Sequence, residues 1–412
     1  MDPVTSAAKA NDDVADSRLF QPLHVGSAQL AHRVVFAPLT RLRADKAHVP
    51  TDLQVEYYAQ RASVPGTLLI TEATYISASG GGVDNIPGVW SEAQVAGWKK
   101  VADAVHARQS TIFMQIWALG RAGRLDVLTK VDEVSNPGGP HPYVSASNVP
   151  LSSRPETDPA PRALTHEEIV QYIDLFRQAA KNAVAAGFDG VEIHGAHGYL
   201  VDQFTQTITN KRDDQWGGSL KARCKFALEV VDAVAGAIGP EKTAIRLSPW
   251  STYQDMRMSY EDTIETFSYL VRSIRDKYPT FAYLHAPEPR VAGSADREPI
   301  EGESNNFLKD IWLTEGGKDH NRIHIAAGGY TAETAIQEAE ARDKVAVAFG
   351  RYFIPNPDLV ARIKRGIPFT PYDRSKFYIP ESPIGYVDYE FADKEVETHH
   401  KLSGRLQQYA PE

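Results

Sequence analysis

Eight short apolar runs, most of them separated by amphipathic helical stretches, constrain the fold of this chain more than any other feature. They are Val34-Val35-Phe36-Ala37, Leu68-Leu69-Ile70-Thr71, Ile112-Phe113-Met114-Gln115, Gly190-Val191-Glu192-Ile193, Ala244-Ile245-Arg246-Leu247, Phe281-Ala282-Tyr283-Leu284, Ile323-His324-Ile325-Ala326 and Val345-Ala346-Val347-Ala348-Phe349. Runs of this length, bounded by Gly, Pro or polar residues, suit strands buried on both faces of a parallel sheet. Eight of them in alternation with helices predict a closed (β/α)8 barrel. The competing architecture is a doubly wound sheet, whose dinucleotide-binding form carries a glycine-rich turn after its first strand. Pro38-Leu39-Thr40-Arg41 occupies that place here, and Gly80-Gly81-Gly82 lacks the spacing of a dinucleotide fingerprint. The barrel is the better reading.

The helices between the runs announce themselves locally. Thr165-His166-Glu167-Glu168 and Ser91-Glu92-Ala93-Gln94 are capping boxes, in which side chain and backbone satisfy each other's free N–H groups. After the first, Ile169, Ile173, Phe176, Ala180 and Ala183 form an apolar stripe that ends at Gly187, a natural left-handed stop. The expected organisation is a disordered polar tail over 1–18, one barrel domain over 19–390 and a C-terminal extension over 391–412. Two irregular segments, 123–163 and 284–307, are rich in turn formers or charge and longer than ordinary connections. They are expected at the C-terminal mouth of the barrel as lids or binding walls, or else as surface decoration.

Composition removes several classes of function. The formal net charge is -9 with no run of Lys and Arg, which disfavours nucleic-acid binding. The one cysteine, Cys224, excludes an intrachain disulfide and a multi-cysteine metal site, and its helical setting reads as a quiet packing thiol. The first residues lack the apolar core of a secretory signal, and no apolar run reaches membrane-spanning length, so the expectation is a cytoplasmic protein without membrane contact.

The chemistry gathers where strands end. Thr40 follows the first run, Gln115 ends the third, His194 follows the fourth and Arg246 lies late in the fifth; Gly328-Gly329 and Gly350-Arg351 follow the seventh and eighth. In a barrel all of these face the mouth, and burying Gln, His and Arg there without partners would be costly. Barrels often bind phosphate after strands seven and eight, where glycines let backbone N–H groups approach the anion and an arginine adds a charged fork. His194 and His197, three apart in a tight loop, converge on one point. A metal would need further ligands, and Glu192 and Asp202 are not obviously placed to give them, so no metal is expected. Two imidazoles that bind a substrate oxygen, with Tyr199 as the nearby acid, make better chemistry, since a phenol of pKa about 10 stays protonated at neutral pH.

Taken together, the segments Glu192–Phe204, Phe36–Arg41, Met114–Arg121, Arg246–Pro249 and Gly350–Val360 resemble the old yellow enzyme family, in order, from about Leu19 to about Tyr389. The resemblance implies bound, non-covalent FMN and NAD(P)H as co-substrate, with NADPH favoured. Thr40 resembles the hydroxyl at a flavin carbonyl, Gln115 the amide at the pyrimidine edge and Arg246 the cation beside it. Gly328, Gly329, Gly350 and Arg351 correspond to the phosphate clamp, and Pro38 and Leu39 would pack around the ring. His194 and His197 resemble the pair that grips a carbonyl or nitro oxygen, and Tyr199 the residue that protonates the α-carbon after hydride reaches the β-carbon. Trp117 and Tyr378 resemble walls of the substrate pocket. Many members have His-x-x-Asn where this chain has His194-x-x-His197, which touches substrate preference rather than reaction class. Gly329 stands where an Asn is often found, so phosphate contact there is left to the backbone.

The expected activity is ping-pong reduction of an enone, enal or nitroalkene by a monomer or homodimer. The same site run as a dehydrogenase or isomerase, a flavoprotein retained as a scaffold and a flavin-free barrel lyase on a phosphorylated substrate are the alternatives. The lyase would need a Schiff-base lysine or an acidic metal cluster at the strand exits, and the exits carry Thr, Gln, His and Arg.

Overall fold

The computed structural model describes residues 14–293, 295–315 and 321–407. Eight parallel strands form the barrel: β1 Val34–Phe36, β2 Leu68–Ile70, β3 Thr111–Trp117, β4 Gly190–Gly195, β5 Thr243–Leu247, β6 Tyr283–Pro287, β7 Ile323–Ala327 and β8 Val345–Phe349. Each pairs with its neighbour in sequence, β8 pairs with β1, and the ring is closed. The helices that follow the strands in turn are α1 Asp52–Arg61, α2 Glu92–His106, α3 His166–Ala185, α4 Leu220–Ile238, α5 Tyr260–Lys277, α6 Asn306–Leu313, α7 Ala332–Ala341 and α8 Leu359–Arg365. Both capping boxes form, and Gly187 adopts a φ of 90° just past α3.

The alternation of side chains along each strand builds the site. Val191, Ile193, Ile245 and Leu247 face outward into the core shared with the helices. Val35, Leu68, Ile70, Phe113, Ala244, Tyr283, Ile325 and Ala346 belong to a second cluster that fills the barrel. The hairpin Leu23–Val25/Ala28–Leu30 closes the bottom of that inner cluster. On the same inward rows Gln115, Glu192, His194, Arg246 and His285 follow as the strands approach their C-terminal ends. Apolar packing thus fixes the lower barrel and leaves polar groups at the top.

Several expectations shift by a few residues. The sixth strand begins at Tyr283, because its register opens with Ala244 opposite Tyr283, and it continues through His285-Ala286-Pro287. The segment expected to be irregular from 284 therefore starts at Glu288, and its last residues open α6. The expected tail lies outside the described residues up to Asp13; its end is packed, with Ser17 buried just before a 3₁₀ turn at Arg18–Phe20. The C-terminal extension carries a helix, Lys394–Gln407, against which Arg108 docks by donating from Nε to His400 Nδ1 at 3.2 Å. Cys224 is buried, and burial pushes its thiol up to about 12, as a packing thiol requires. Among the described residues no helix is long and apolar enough to cross a membrane.

Candidate functional site

One cavity at the mouth brings together every residue singled out above. It is lined by Pro38, Leu39 and Thr40 after β1, Gln115 and Trp117 of β3, and His194, His197 and Tyr199 after β4. Arg246 of β5, Gly328 and Gly329 after β7, Gly350 and Arg351 after β8, and Tyr378 near the C-terminus complete this set.

The turn after β4 is the most tightly determined part. His197 and Gly198 both adopt left-handed backbone, φ 58° and 76°, which swings the chain back so that Tyr199 starts the short helix Leu200–Thr205 at the rim. A Cβ on residue 198 would sit 2.7 Å from Met256 Cγ, so only glycine fits. Asp202 accepts from Gly198 N at 2.9 Å, and Gln203 Nε2 donates to Gly198 O at 2.7 Å and to Leu119 O at 2.9 Å. Asp202 is therefore a brace of the turn, its carboxyl pushed up to about 7 by burial. Among the described residues no group of His, Cys, Asp and Glu has the arrangement of a metal site.

The two imidazoles lie with ring centroids 6.2 Å apart and planes at 75°. His194 Nδ1 accepts from Ala196 N at 3.4 Å, and His197 Nδ1 lies 3.2 Å from Ser251 Oγ. Burial first, and the Arg246 charge second, hold both well below the ordinary histidine value, so both are neutral. With Nδ1 occupied as an acceptor from Ala196 N–H, the neutral His194 ring carries its proton on Nε2 as a donor. Tyr199 packs edge-on against both Trp117 and His194, at 4.6 and 4.8 Å between centroids. Burial, followed by the neighbouring Tyr253 and Tyr378 phenols, pushes its hydroxyl far up, so it is an acid that keeps its proton.

Beside this cluster, with Arg246 directly across from His194 in the sheet, the lining changes to groups suited to a flat polar heterocycle with a phosphate. Thr40, Gln115 and Arg246 offer a hydroxyl, an amide and a guanidinium. Among the described residues Trp117 Nε1 and Arg246 Nε are buried without hydrogen-bond partners, a state that a polar ligand relieves. Gly328 and Gly329 take φ of 102° and 65°, conformations that leave the main chain open to an anion. The space beside Gly329 is approached by Arg290, whose Nε donates to Gly328 O at 2.7 Å and whose guanidinium stacks 4.4 Å from the Tyr330 ring. Arg351 donates to Asp296 through both terminal nitrogens. The donor set fits FMN.

Sequence reasoning missed several contributors. Tyr253 lines the cavity from the β5–α5 loop, at a strand exit just past Arg246-Leu247-Ser248-Pro249, the position that pointed to it. Arg290 and Asp296 come from the segment after β6, where the hairpin Val291–Ala292/Ala295–Asp296 reaches the phosphate end. The segment 123–163, expected as a lid or binding wall or else as surface decoration, contributes no residue to the lining of this cavity. It braces the wall instead. Asp255 accepts from Ser152 N and Oγ at 2.7 and 2.6 Å, while Arg121 donates to Gln254 O at 2.6 Å and to Val149 O at 3.2 Å.

Comparison with known proteins agrees with this geometry. A profile of the NADH:flavin oxidoreductase / NADH oxidase family matches residues 18–370. The NADP-dependent oxidoreductase lnbE of Aspergillus flavus is 48% identical over 386 residues, covering 92% of this chain and 98% of that protein. The chanoclavine-I aldehyde reductase fgaOx3 of Penicillium roqueforti is 49% identical over 379 residues, covering 91% and 97%. The crystal structure of old yellow enzyme from a Pichia species superposes with a TM-score of 0.80 at 36% identity, over 92% of this chain and 95% of that one. The chain belongs to the NADH:flavin oxidoreductase / NADH oxidase family, the old yellow enzymes, and is an FMN- and NAD(P)H-dependent oxidoreductase on a (β/α)8 barrel.

Proposed function

We propose that this enzyme is an ene-reductase, which saturates the double bond of an α,β-unsaturated carbonyl or nitro compound at the expense of NADPH. The observation that carries the reading is that two buried imidazoles, His194 and His197, and the Tyr199 phenol line one cavity, with His197 and Tyr199 within ring-contact distance of His194, 6.2 and 4.8 Å between centroids. When bound, FMN would supply two-electron hydride chemistry between NADPH and the β-carbon of the substrate. Thr40, Gln115 and Arg246 hold its ring, with Pro38 and Leu39 packed beside them, and Gly328, Gly329, Gly350 and Arg351 hold its phosphate.

His194 and His197 bind the carbonyl or nitro oxygen through Nε2–H. As that oxygen gains charge, both hydrogen bonds strengthen, which draws electron density from the double bond and exposes the β-carbon. Tyr199 donates its hydroxyl proton to the α-carbon, so the product gains one hydride and one proton across the former double bond. Trp117 and Tyr378 bound the substrate space. The names of the relatives support a carbonyl substrate, one being an aldehyde reductase, and NADPH as reductant, one being NADP-dependent. The dinucleotide and the substrate share the one cavity in turn, so double-reciprocal plots are parallel. The test is direct: purified protein is yellow, bleaches anaerobically with NADPH, and regains its colour on addition of an enone, an enal or a nitroalkene. Failure of all three acceptors to restore the colour refutes the reading.

A further inference from the structure

Glu192 precedes His194 by two residues on β4, so both side chains point into the barrel, with Glu192 one layer deeper. It is fully buried and held at both oxygens. Gln115 Nε2 donates to Oε1 at 2.6 Å, and His285 Nδ1 lies 2.8 Å from Oε2. The sheet register produces this arrangement, since Gln115 is directly opposite Glu192 across β3 and β4, and Arg246 is directly opposite His285 across β5 and β6. Burial alone would raise the Glu192 carboxyl, but the hydrogen bonds from His285 and Gln115 and the charge of Arg246 act against it and hold the group below its ordinary value. Burial, joined by the Arg246 charge, drives His285 down despite Glu192. Glu192 is therefore a carboxylate, and since a carboxylate only accepts, His285 donates to it from Nδ1.

Two consequences follow for the cavity above. A carboxamide has one donor end and one acceptor end, and a carboxylate accepts only. Turning the Gln115 amide over would set its carbonyl oxygen against a carboxylate oxygen at hydrogen-bond distance, so Glu192 fixes the amide with its nitrogen inward and its carbonyl oxygen toward the ligand. The second consequence is electrostatic. Among the described residues Arg246 Nε is buried without a hydrogen-bond partner, and Glu192 is the acidic group whose charge acts on the guanidinium most directly. A lone guanidinium beside an electron-accepting ring raises its affinity for electrons, and a carboxylate one layer below opposes that.

We propose that Glu192 is a positioning and charge-setting residue for the flavin: through Gln115 it directs an acceptor at the pyrimidine N3–H, and its charge holds the flavin reduction potential below the value Arg246 alone would set. The inference rests on the reading that Gln115 and Arg246 meet the pyrimidine end. Glu192→Gln keeps the size of the side chain and an acceptor for Gln115, while a tautomer change lets His285 Nδ1 accept from the new amide. The variant is expected to retain FMN and to favour the reduced over the oxidised flavin about tenfold more than wild type. For a two-electron couple that is a rise of about 30 mV in midpoint potential, read by anaerobic dye equilibration.

An unmoved or lowered potential overturns the charge role. The orientation role is tested on unmutated protein, by comparing apoprotein affinity for FMN and for N3-methyl-FMN. Loss of tenfold or more with the methylated ring is expected, and equal affinity overturns it whether or not the variant folds. Gln115→Ala and Arg246→Met separate the layers of argument. If neither alters FMN affinity or potential, the underlying placement of the pyrimidine end is wrong; if they do and Glu192→Gln does not, only the role of Glu192 is.

Discussion

Arg351 is engaged at both of its terminal nitrogens by Asp296, which reaches it from the hairpin after β6. Tyr372 OH also accepts from Arg351 Nη1 at 3.1 Å. The carboxylate side chain is 63% exposed while that of Arg351 is 15% exposed, so the pair is water-screened on one side and weak. A phosphate carries more charge and more acceptors than this carboxylate, and FMN would compete with Asp296 for the same fork. Asp296→Asn is expected to tighten FMN binding to apoprotein a fewfold. Arg351→Met is expected to weaken it roughly tenfold or more, from the loss of a charge-assisted hydrogen bond of about 1.5–3 kcal/mol, while riboflavin binding barely changes. Flavin fluorescence titration reads both, and an equal effect of Arg351→Met on FMN and riboflavin would remove Arg351 from the phosphate site.

Tyr199→Phe keeps the ring contacts with Trp117 and His194 and deletes only the hydroxyl. Reduction by NADPH uses no proton from this residue, so its rate is expected to stay within about twofold. Reoxidation by an enone needs the proton, and its rate is expected to fall about 10²- to 10⁴-fold, the range of a positioned acid. Stopped-flow spectroscopy separates the two half-reactions, and equal loss in both argues against the acid role.

His197 occupies left-handed backbone at φ 58°, a region where Asn and His are among the side chains most readily accommodated. This gives a physical reason why His and Asn alternate at this place in the family pattern, since both tolerate the turn and both offer an N–H. His197→Asn is expected to retain kcat/KM for an enone within about tenfold. His197→Ala removes the donor and is expected to lose about 10²- to 10³-fold, as for other oxyanion donors. Near-wild-type activity of the alanine variant would show that His194 binds the substrate oxygen alone.

The legible part of this protein was whatever a local pattern carries. Strand rows, capping boxes and the His194–Tyr199 turn are each written in a few adjacent residues, and polar side chains at strand ends gave the cavity lining before any coordinates. Glu192 and His285 lie on those same rows, yet Glu192 resembles an isolated polar residue in a strand and His285 falls within the segment 284–307 expected to be irregular. Their meaning depends on the register that sets β3 beside β4 and β5 beside β6, which one sequence does not display. Tyr253, Arg290 and Asp296 were hidden for another reason. Tyr253 rides on a loop braced by Arg121 and Ser152, and Arg290 and Asp296 on the segment after β6, and loops carry no periodic signal. The segment 123–163, expected as a lid or binding wall or else as surface decoration, hydrogen-bonds to the loop that carries Tyr253, a detail that composition does not display.

Stability should fall as the solution is acidified from about pH 7 to 5. Burial holds His32 down to about 4 and lowers His194, His197, His285 and His324 as well. Unfolded, each titrates near 6.5, so below that pH the unfolded chain binds protons that the folded chain refuses, and folding free energy is lost until the folded values are reached. Glu72 and Asp202 act in the opposite sense, because burial raises both to about 7 and the folded chain then takes up protons first. His106, raised through its hydrogen bond to Asp189, joins them. The shift of His32 and that of Glu72 are similar in size and opposite in sign, so the number of groups decides, and five lowered imidazoles outweigh three opposing groups. The thermal midpoint of the FMN-loaded protein, followed by calorimetry, is therefore expected to drop steadily across this interval. A midpoint that is flat or rises would mean that the raised carboxyls govern acid stability and that the buried imidazoles accept protons more readily than their burial implies.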